Sequence, residues 1–146
     1  MKVEIIIDET LEETNIKIYT NKYTEQIDEI KNNLLKNSKD LISVFKDDDV
    51  YVINNNEIIR AYAEEKNVYI ETIENLYKTR LKIYELEERL NSNKFIKISR
   101  SEIVNLDFVK RLDLSFIGTI AVELKNGKVS YVSRRNLKNF KNAIGL

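Results

Sequence analysis

The chain has 146 residues, 42% hydrophobic and 33% charged, which excludes global disorder and fits one compact domain, alone or with a short accessory segment. Histidine and cysteine are both absent, which excludes disulfides, thiol nucleophiles, imidazole bases and ordinary structural zinc sites. The net charge is zero, yet residues 1–50 carry −5, residues 51–93 carry −2 and residues 94–146 carry +7. This gradient suits a basic end facing a polyanion, or it reflects uneven scatter of exposed charges.

The first third of the chain is predicted to hold two strands and a helix. Val3, Ile5 and Ile7 alternate with Glu4 and Asp8, and residues 15–20 alternate again, with the period of a strand. From Thr24, a credible N-cap, apolar residues recur at helical spacing, and Asn37 is placed to end the helix. Residues 1–45 are therefore interpreted as a strand–strand–helix extension. Its apolar stripe fits packing on a sheet or a face for a protein partner.

Residues 46–146 are predicted to form a series of short strands, which begins with the strand at 41–45 just before them. Polar turns separate apolar runs at 41–45, 50–53, 58–63, 68–73, 76–80, 95–99, 108–114, 117–124 and 129–132. Asn126-Gly127 is the strongest hairpin signal, and a short helix ends at Leu90. Ser133 is predicted to cap a terminal helix that buries Phe140. The fold class is mainly β (α+β), with antiparallel sheets and short helices.

Two consecutive arginines follow the last predicted strand. With Ser133 as N-cap, Arg134 and Arg135 would occupy the first helical turn, where the helix dipole makes each cation cost about 0.3–1 kcal/mol. An anion explains this placement, because the exposed N–H groups and both guanidinium groups would point at one phosphate. The alternative is that both arginines extend into water or pair with acids elsewhere.

A second basic element lies at residues 94–105. Alternation directs Ile98 to the core and Lys97 to the other face of the strand, and it leaves Arg100 and Ser101 where the strand opens into a loop. Arginine matches the major-groove edge of guanine, while serine and lysine suit phosphates. Asn105 is more simply explained as a buried residue that fixes a loop than as a base reader.

These motifs occur together in a specific order. Phe95-x-Lys-x-Ser-Arg-Ser-x-Ile-Val-Asn-Leu-x-x-Val is followed by a strand pair around Lys-Asn-Gly and then by Val-Ser-Arg-Arg-x-Leu-x-x-Phe-Lys. In this combination, residues 45–146 resemble a LytTR DNA-binding domain. The resemblance implies an elongated set of antiparallel sheets that inserts loops, instead of a recognition helix, into successive major grooves. The DNA-contacting positions that it implies are Arg100, Ser101, Arg135, Arg134, Tyr131, Lys66 and Asn67. Lys97, which alternation directs outward from the strand before Arg100, is a further candidate.

The resemblance also implies a cellular setting. Most LytTR regulators carry a receiver domain, but the roughly 45 residues before the DNA-binding part here resemble the short extension of a stand-alone branch. Members of that branch are often encoded beside a small membrane protein, which becomes a candidate partner. We therefore expect a bacterial, cytoplasmic transcription regulator without a cofactor that binds a repeat operator in double-stranded DNA, one copy to each half-site, as a dimer on DNA.

Two other classes of function fit the sequence less well. A protein-interaction or anti-regulator module would act through the acidic N-terminal segment on a membrane-linked partner. An enzyme is the weakest interpretation, because the chain has no Gly-rich phosphate loop and no evident nucleophile–base pair. The three acids at 47–49 fit a solvated turn better than a metal site, since consecutive side chains point in different directions.

Overall fold

The computed structural model describes residues 1–36 and 40–146. The chain divides into two compact units, Met1–Leu35 and Lys36–Leu146. Within the described residues, no helix is long and apolar enough to cross a bilayer.

The first unit contains one helix and no strand. Helix α1 spans Glu25–Lys36, and the hydroxyl of Thr24 accepts a hydrogen bond from the Ile27 N–H at 3.4 Å, which confirms the predicted N-cap. Asn37, the predicted end of the helix, lies outside the described residues. The strands predicted at 3–7 and 15–20 are wrong: both segments are exposed and form no ladder. Alternation alone does not make a strand, because the backbone needs a neighbouring strand for its hydrogen bonds.

The second unit is built from two antiparallel sheets. Seven strands form the larger sheet: β1 (Leu41–Lys46), β2 (Asp49–Asn54), β3 (Arg60–Glu64), β4 (Asn67–Glu71), β5 (Leu76–Thr79), β6 (Phe95–Ser99) and β7 (Glu102–Asn105). Their order is β2-β1-β5-β4-β3-β7-β6. The smaller sheet holds β8 (Val109–Asp113), β9 (Ala121–Leu124) and β10 (Val129–Tyr131) in the order β10-β9-β8. Helices α2 (Ile83–Arg89) and α3 (Leu137–Ile144) complete the unit. This architecture confirms the predicted mainly β fold.

Both faces of the larger sheet carry a hydrophobic core. On one face, α2 contributes Ile83 and Leu86 to a cluster that includes Ile103 of β7. On the other face, the smaller sheet and Phe140 of α3 form a cluster that includes Val104, the next residue of β7. Since neighbouring residues of a strand point to opposite faces, β6 and β7 are covered on both sides.

Burial on both faces explains the one strand that the sequence analysis missed. Residues 103–105 are all buried, so β7 lacks the polar–apolar alternation that marks a half-exposed strand. The hairpin predicted at Asn126-Gly127 is confirmed: it joins β9 to β10, and Gly127 takes a φ of +87°, which glycine adopts without strain.

Candidate nucleic-acid interface

Two turns lie together at one end of the larger sheet. The β3–β4 turn carries Lys66, and the β6–β7 turn carries Arg100 and Ser101. Because β3 and β7 are antiparallel neighbours, the end of β3 meets the start of β7, and the Ala63 N–H donates to the Ser101 carbonyl at 2.8 Å. The structure therefore brings together two loops that lie 35 residues apart in the sequence.

A third segment joins the same end. The Ser133 N–H donates to the Ile98 carbonyl at 2.8 Å, which ties the chain after β10 to the end of β6. Arg135 follows Ser133 by two residues, and Arg100 follows Ile98 by two. The reach of the backbone then limits the separation of the two arginine Cα atoms to about 22 Å, less than two widths of a major groove of about 12 Å.

Four cations at this end have no acidic partner among the described residues. Lys66, Arg100, Arg134 and Arg135 are exposed, and within the described part of the chain none of them makes an ion pair or a hydrogen bond through its charged group. We call these four residues, with the neighbouring Asn67, Ser101 and Tyr131, the basic edge. Glu64, the last residue of β3, and Glu65 of the β3–β4 turn are also exposed and offset part of this charge.

Some other charged groups of this unit are paired or lie at the opposite end of the larger sheet. Arg111 binds Glu123 with 2.9 Å between Nε and Oε2. The exposed acids 47–49 lie at the β1–β2 turn, as the sequence predicted, with Asp49 the first residue of β2, at the end of the sheet away from the basic edge. Among the described residues, no group of three or more acidic side chains is arranged to hold a metal ion.

The predicted helical setting of the two arginines is wrong. Arg134, Arg135 and Asn136 form a 3₁₀ turn, and the α-helix begins only at Leu137. Ser133 makes no side-chain cap hydrogen bond, because its hydroxyl instead accepts from the Asn136 side-chain amide at 2.7 Å. The two arginines therefore do not occupy the first turn of an α-helix, and the dipole cost expected there does not apply. Their lack of acidic partners among the described residues leaves both guanidinium groups available to an anion.

Other predicted residues fall in different settings. Lys97 is half-buried, and its ammonium lies 3.7 Å from the carboxylate of Glu87 in α2, which partly neutralises its charge. Tyr131 is half-exposed, with its ring edge-on to Phe116 at 5.7 Å between centroids. Asn105 is completely buried: its amide donates to the Ile58 carbonyl at 2.8 Å and its oxygen accepts from the Asp107 N–H at 3.0 Å. The prediction that Asn105 fixes a loop is confirmed.

The sequence analysis missed a polar network between the two sheets. Arg60 of β3 binds Glu71 and Glu102, each at 2.7 Å, and the hydroxyl of Ser130 of β10 donates to Glu102 at 2.8 Å. Asn126, in the β9–β10 hairpin, donates to Glu71 at 2.7 Å. Burial disfavours the charged guanidinium, but the hydrogen bonds and charges of the two glutamates outweigh it and raise the pKa of Arg60.

The network fixes the smaller sheet against the larger one and so helps to place the basic edge. In the sequence, the only indication of this network is that a charged residue, Arg60, directly precedes the apolar Ala61. The partners of Arg60 lie 11, 42 and 70 residues away, too far for any local pattern to pair them.

Comparison with known proteins agrees with this geometry. The LytTr DNA-binding domain family matches residues 48–145. An uncharacterized HTH-type transcriptional regulator of Staphylococcus aureus strain NCTC 8325 is 34% identical over 148 residues, covering 100% of this chain and 99% of that protein. The LytTr DNA-binding domain of a methyl-accepting/DNA response regulator from Bacillus cereus superposes with a TM-score of 0.71 at 21% identity, covering 73% of this chain and 98% of that one.

The chain therefore belongs to the LytTr DNA-binding domain family, which confirms the resemblance found in the sequence. Among the described residues, no two helices are joined by the short turn of a helix-turn-helix, since several strands separate each helix from the next. Among the described residues, the exposed cations Lys66, Arg100, Arg134 and Arg135 therefore lie in turns at the end of the larger sheet and not on a helix of a helix-turn-helix.

Proposed function

We propose that this protein is a transcription regulator that recognises double-stranded DNA by sequence, through the loops of the basic edge. The observation that carries the proposal is the convergence of three loops at one end of the fold, each bearing a cation that has no acidic partner in the part of the chain that the structure describes. Unpaired guanidinium and ammonium groups suit a polyanion, and loops that protrude from a rigid sheet suit the major groove.

The residues divide into two roles. Arg100 and Arg135 are the proposed base readers, because a guanidinium can bind guanine O6 and N7 together. Ser101, Lys66, Asn67, Tyr131 and Arg134 would contact the sugar–phosphate backbone and set the register of the protein, with Lys97 contributing charge from behind the β6–β7 turn. Two copies would occupy the half-sites of a repeat operator.

The proposal is tested by selecting binding sites from random double-stranded DNA and measuring affinity by fluorescence anisotropy. Arg100→Ala and Arg135→Ala should each weaken binding to the selected site by about 1–3 kcal/mol. Lys128→Ala is the matched control, because it removes one exposed cation from the β9–β10 hairpin at the far end of the smaller sheet. Full affinity in the Arg100→Ala, Arg135→Ala double variant would reject the proposed site.

A second role concerns the acidic N-terminal segment. Ile5, Ile6 and Ile7 are exposed, and apolar side chains grouped in this way suit a protein partner. The candidate is the membrane-linked partner suggested by the family resemblance. Co-purification of that neighbouring membrane protein with the full chain, and its loss when the three isoleucines are changed to serine, would support this role.

A further inference from the structure

A fourth loop stands beside the basic edge. Residues 114–120 connect β8 to β9, and Ala121 lies opposite both Asp113 and Tyr131. The loop therefore leaves the smaller sheet at the same end as the chain that runs into Arg134. Two hydrogen bonds tie the loop to that chain: the Thr119 hydroxyl donates to the Val132 carbonyl at 2.6 Å, and the Val132 N–H donates to the Ile120 carbonyl at 3.0 Å.

Local contacts hold this loop in shape. The Asp113 carboxylate accepts from the Ser115 hydroxyl at 2.6 Å and from the Ser115 N–H at 3.0 Å. Gly118 takes a φ of +75°, and the Nε atom of Arg134 lies 3.6 Å from the position where a Cβ would stand on it. A side chain at 118 would therefore be strained by the positive φ, and its Cβ would stand in ordinary van der Waals contact with the Arg134 guanidinium, so the loop lies directly against the basic edge.

The tip of the loop is apolar where the surroundings are cationic. Ile117 is fully exposed, and Phe116 before it packs edge-on against Tyr131 of the basic edge. An isoleucine with no protein contact gains nothing for folding, and the unpaired Arg134 beside it would disfavour an apolar protein partner. The one apolar group that DNA presents in its major groove is the C5-methyl of thymine.

Resting on the proposed function, we infer that Ile117 is a specificity-determining residue that contacts a thymine C5-methyl next to the bases reached by Arg135. The loop is continuous with the basic edge, its backbone is fixed, and its tip has the chemistry that matches this methyl group. The selected DNA site should accordingly hold a thymine beside the step read by Arg135.

The experiment compares thymine with uracil, which lacks only the methyl group. Each thymine of the selected site is replaced by uracil in turn, and the affinity of the full chain is measured. One replacement should weaken wild-type binding by roughly fourfold, the effect of one buried methyl group. Ile117→Ala should lose affinity for the thymine site and show no further loss on that same replacement. Ile73→Ala, which truncates an exposed isoleucine in the β4–β5 turn at the other end of the larger sheet, should behave as wild type.

The outcomes separate this inference from the proposed function. If Arg135→Ala weakens binding while Ile117→Ala binds as wild type, the inference is overturned and the DNA-binding site stands. Ile117→Ala could instead weaken binding to the thymine site and to every uracil-substituted site by the same factor. Each uracil replacement would then cost the variant as much affinity as it costs the wild type, and the methyl contact would be overturned. If the wild-type chain selects no DNA site at all, the proposed function fails.

Discussion

Asn105 illustrates how one side chain can place a loop. It lies at the end of β7, where its amide bonds to the Ile58 carbonyl before β3 and its oxygen receives the Asp107 N–H. These bonds satisfy two backbone groups at a site from which water is excluded. The residue thus aligns β3 with β7, and this alignment sets the two turns of the basic edge side by side.

We predict that Asn105→Ala lowers the free energy of unfolding by about 1–3 kcal/mol, because at least one buried backbone group loses its partner. Urea denaturation followed by circular dichroism measures the change. Asn139→Ala is the control, since Asn139 is an exposed residue of α3. Equal stability of the two variants would contradict the structural role of Asn105.

A pH effect is expected at Asp113, which shapes the loop carrying Ile117. The hydrogen bonds from the Ser115 hydroxyl and N–H lower the pKa of Asp113 below its ordinary value of about 3.9. These bonds therefore stabilise the folded loop above the ordinary pKa, and their contribution is lost as the pH falls through the lowered one. Carboxyl carbon chemical shifts should show a Ser115→Ala variant titrating nearer to the ordinary value; an unchanged titration would contradict this assignment.

At the scale of elements, the network around Arg60 connects the two sheets. Its guanidinium and the carboxylates of Glu71 and Glu102 are each less than a fifth exposed. Removing one member of such a cluster leaves buried charge without compensation, which costs far more than the intact cluster contributes. The cluster also determines where Tyr131 and the arginines after β10 lie relative to Arg100.

We predict that Arg60→Ala destabilises the protein by about 3–5 kcal/mol, because two buried carboxylates are left together without a cation. Arg111→Ala, which breaks the exposed pair with Glu123, should cost far less, because water screens the charges of an exposed pair. Thermal and urea unfolding of both variants gives the comparison. A loss at Arg60 no larger than that at Arg111 would show that the buried cluster does not hold the sheets together.

At the scale of the whole molecule, the second compact unit includes a strand that precedes the family match. Strand β1 lies between β2 and β5, and its Ile42 and Val44 are buried in the core under α2. Family similarity begins only at residue 48. We therefore place the start of the DNA-binding domain before β1, near residue 40.

We predict that a fragment of residues 40–146 unfolds cooperatively and binds the selected DNA site with the affinity of the full chain. A fragment of residues 47–146 should lose the cooperative transition, because β2 loses its only neighbour and two buried side chains are removed. Calorimetry and anisotropy on both fragments test this boundary. Equal stability of the two fragments would show that β1 is dispensable.

Predictions from the sequence agree with the structure where they depend on residues close together in the chain, and they fail where they depend on distant partners. Most short strands of the second unit, the Asn126-Gly127 hairpin and the Thr24 cap depend on neighbours within a few residues, and patterns predicted them. The strands predicted in residues 1–23 failed because a strand needs a partner that its own pattern does not supply. Strand β7 was missed because burial on both faces removes the alternation.

The sequence by itself determined the family, the mainly β class and the residues of the basic edge, because each depends on the order and spacing of residues that are close together in the chain. Only the tertiary structure decided that Arg100 and Arg135 share one end of the fold, that Arg60 joins the two sheets, and that Ile117 stands beside Arg134. These facts depend on hydrogen bonds and ion pairs between residues tens of positions apart, and such pairings exist only once the chain has folded.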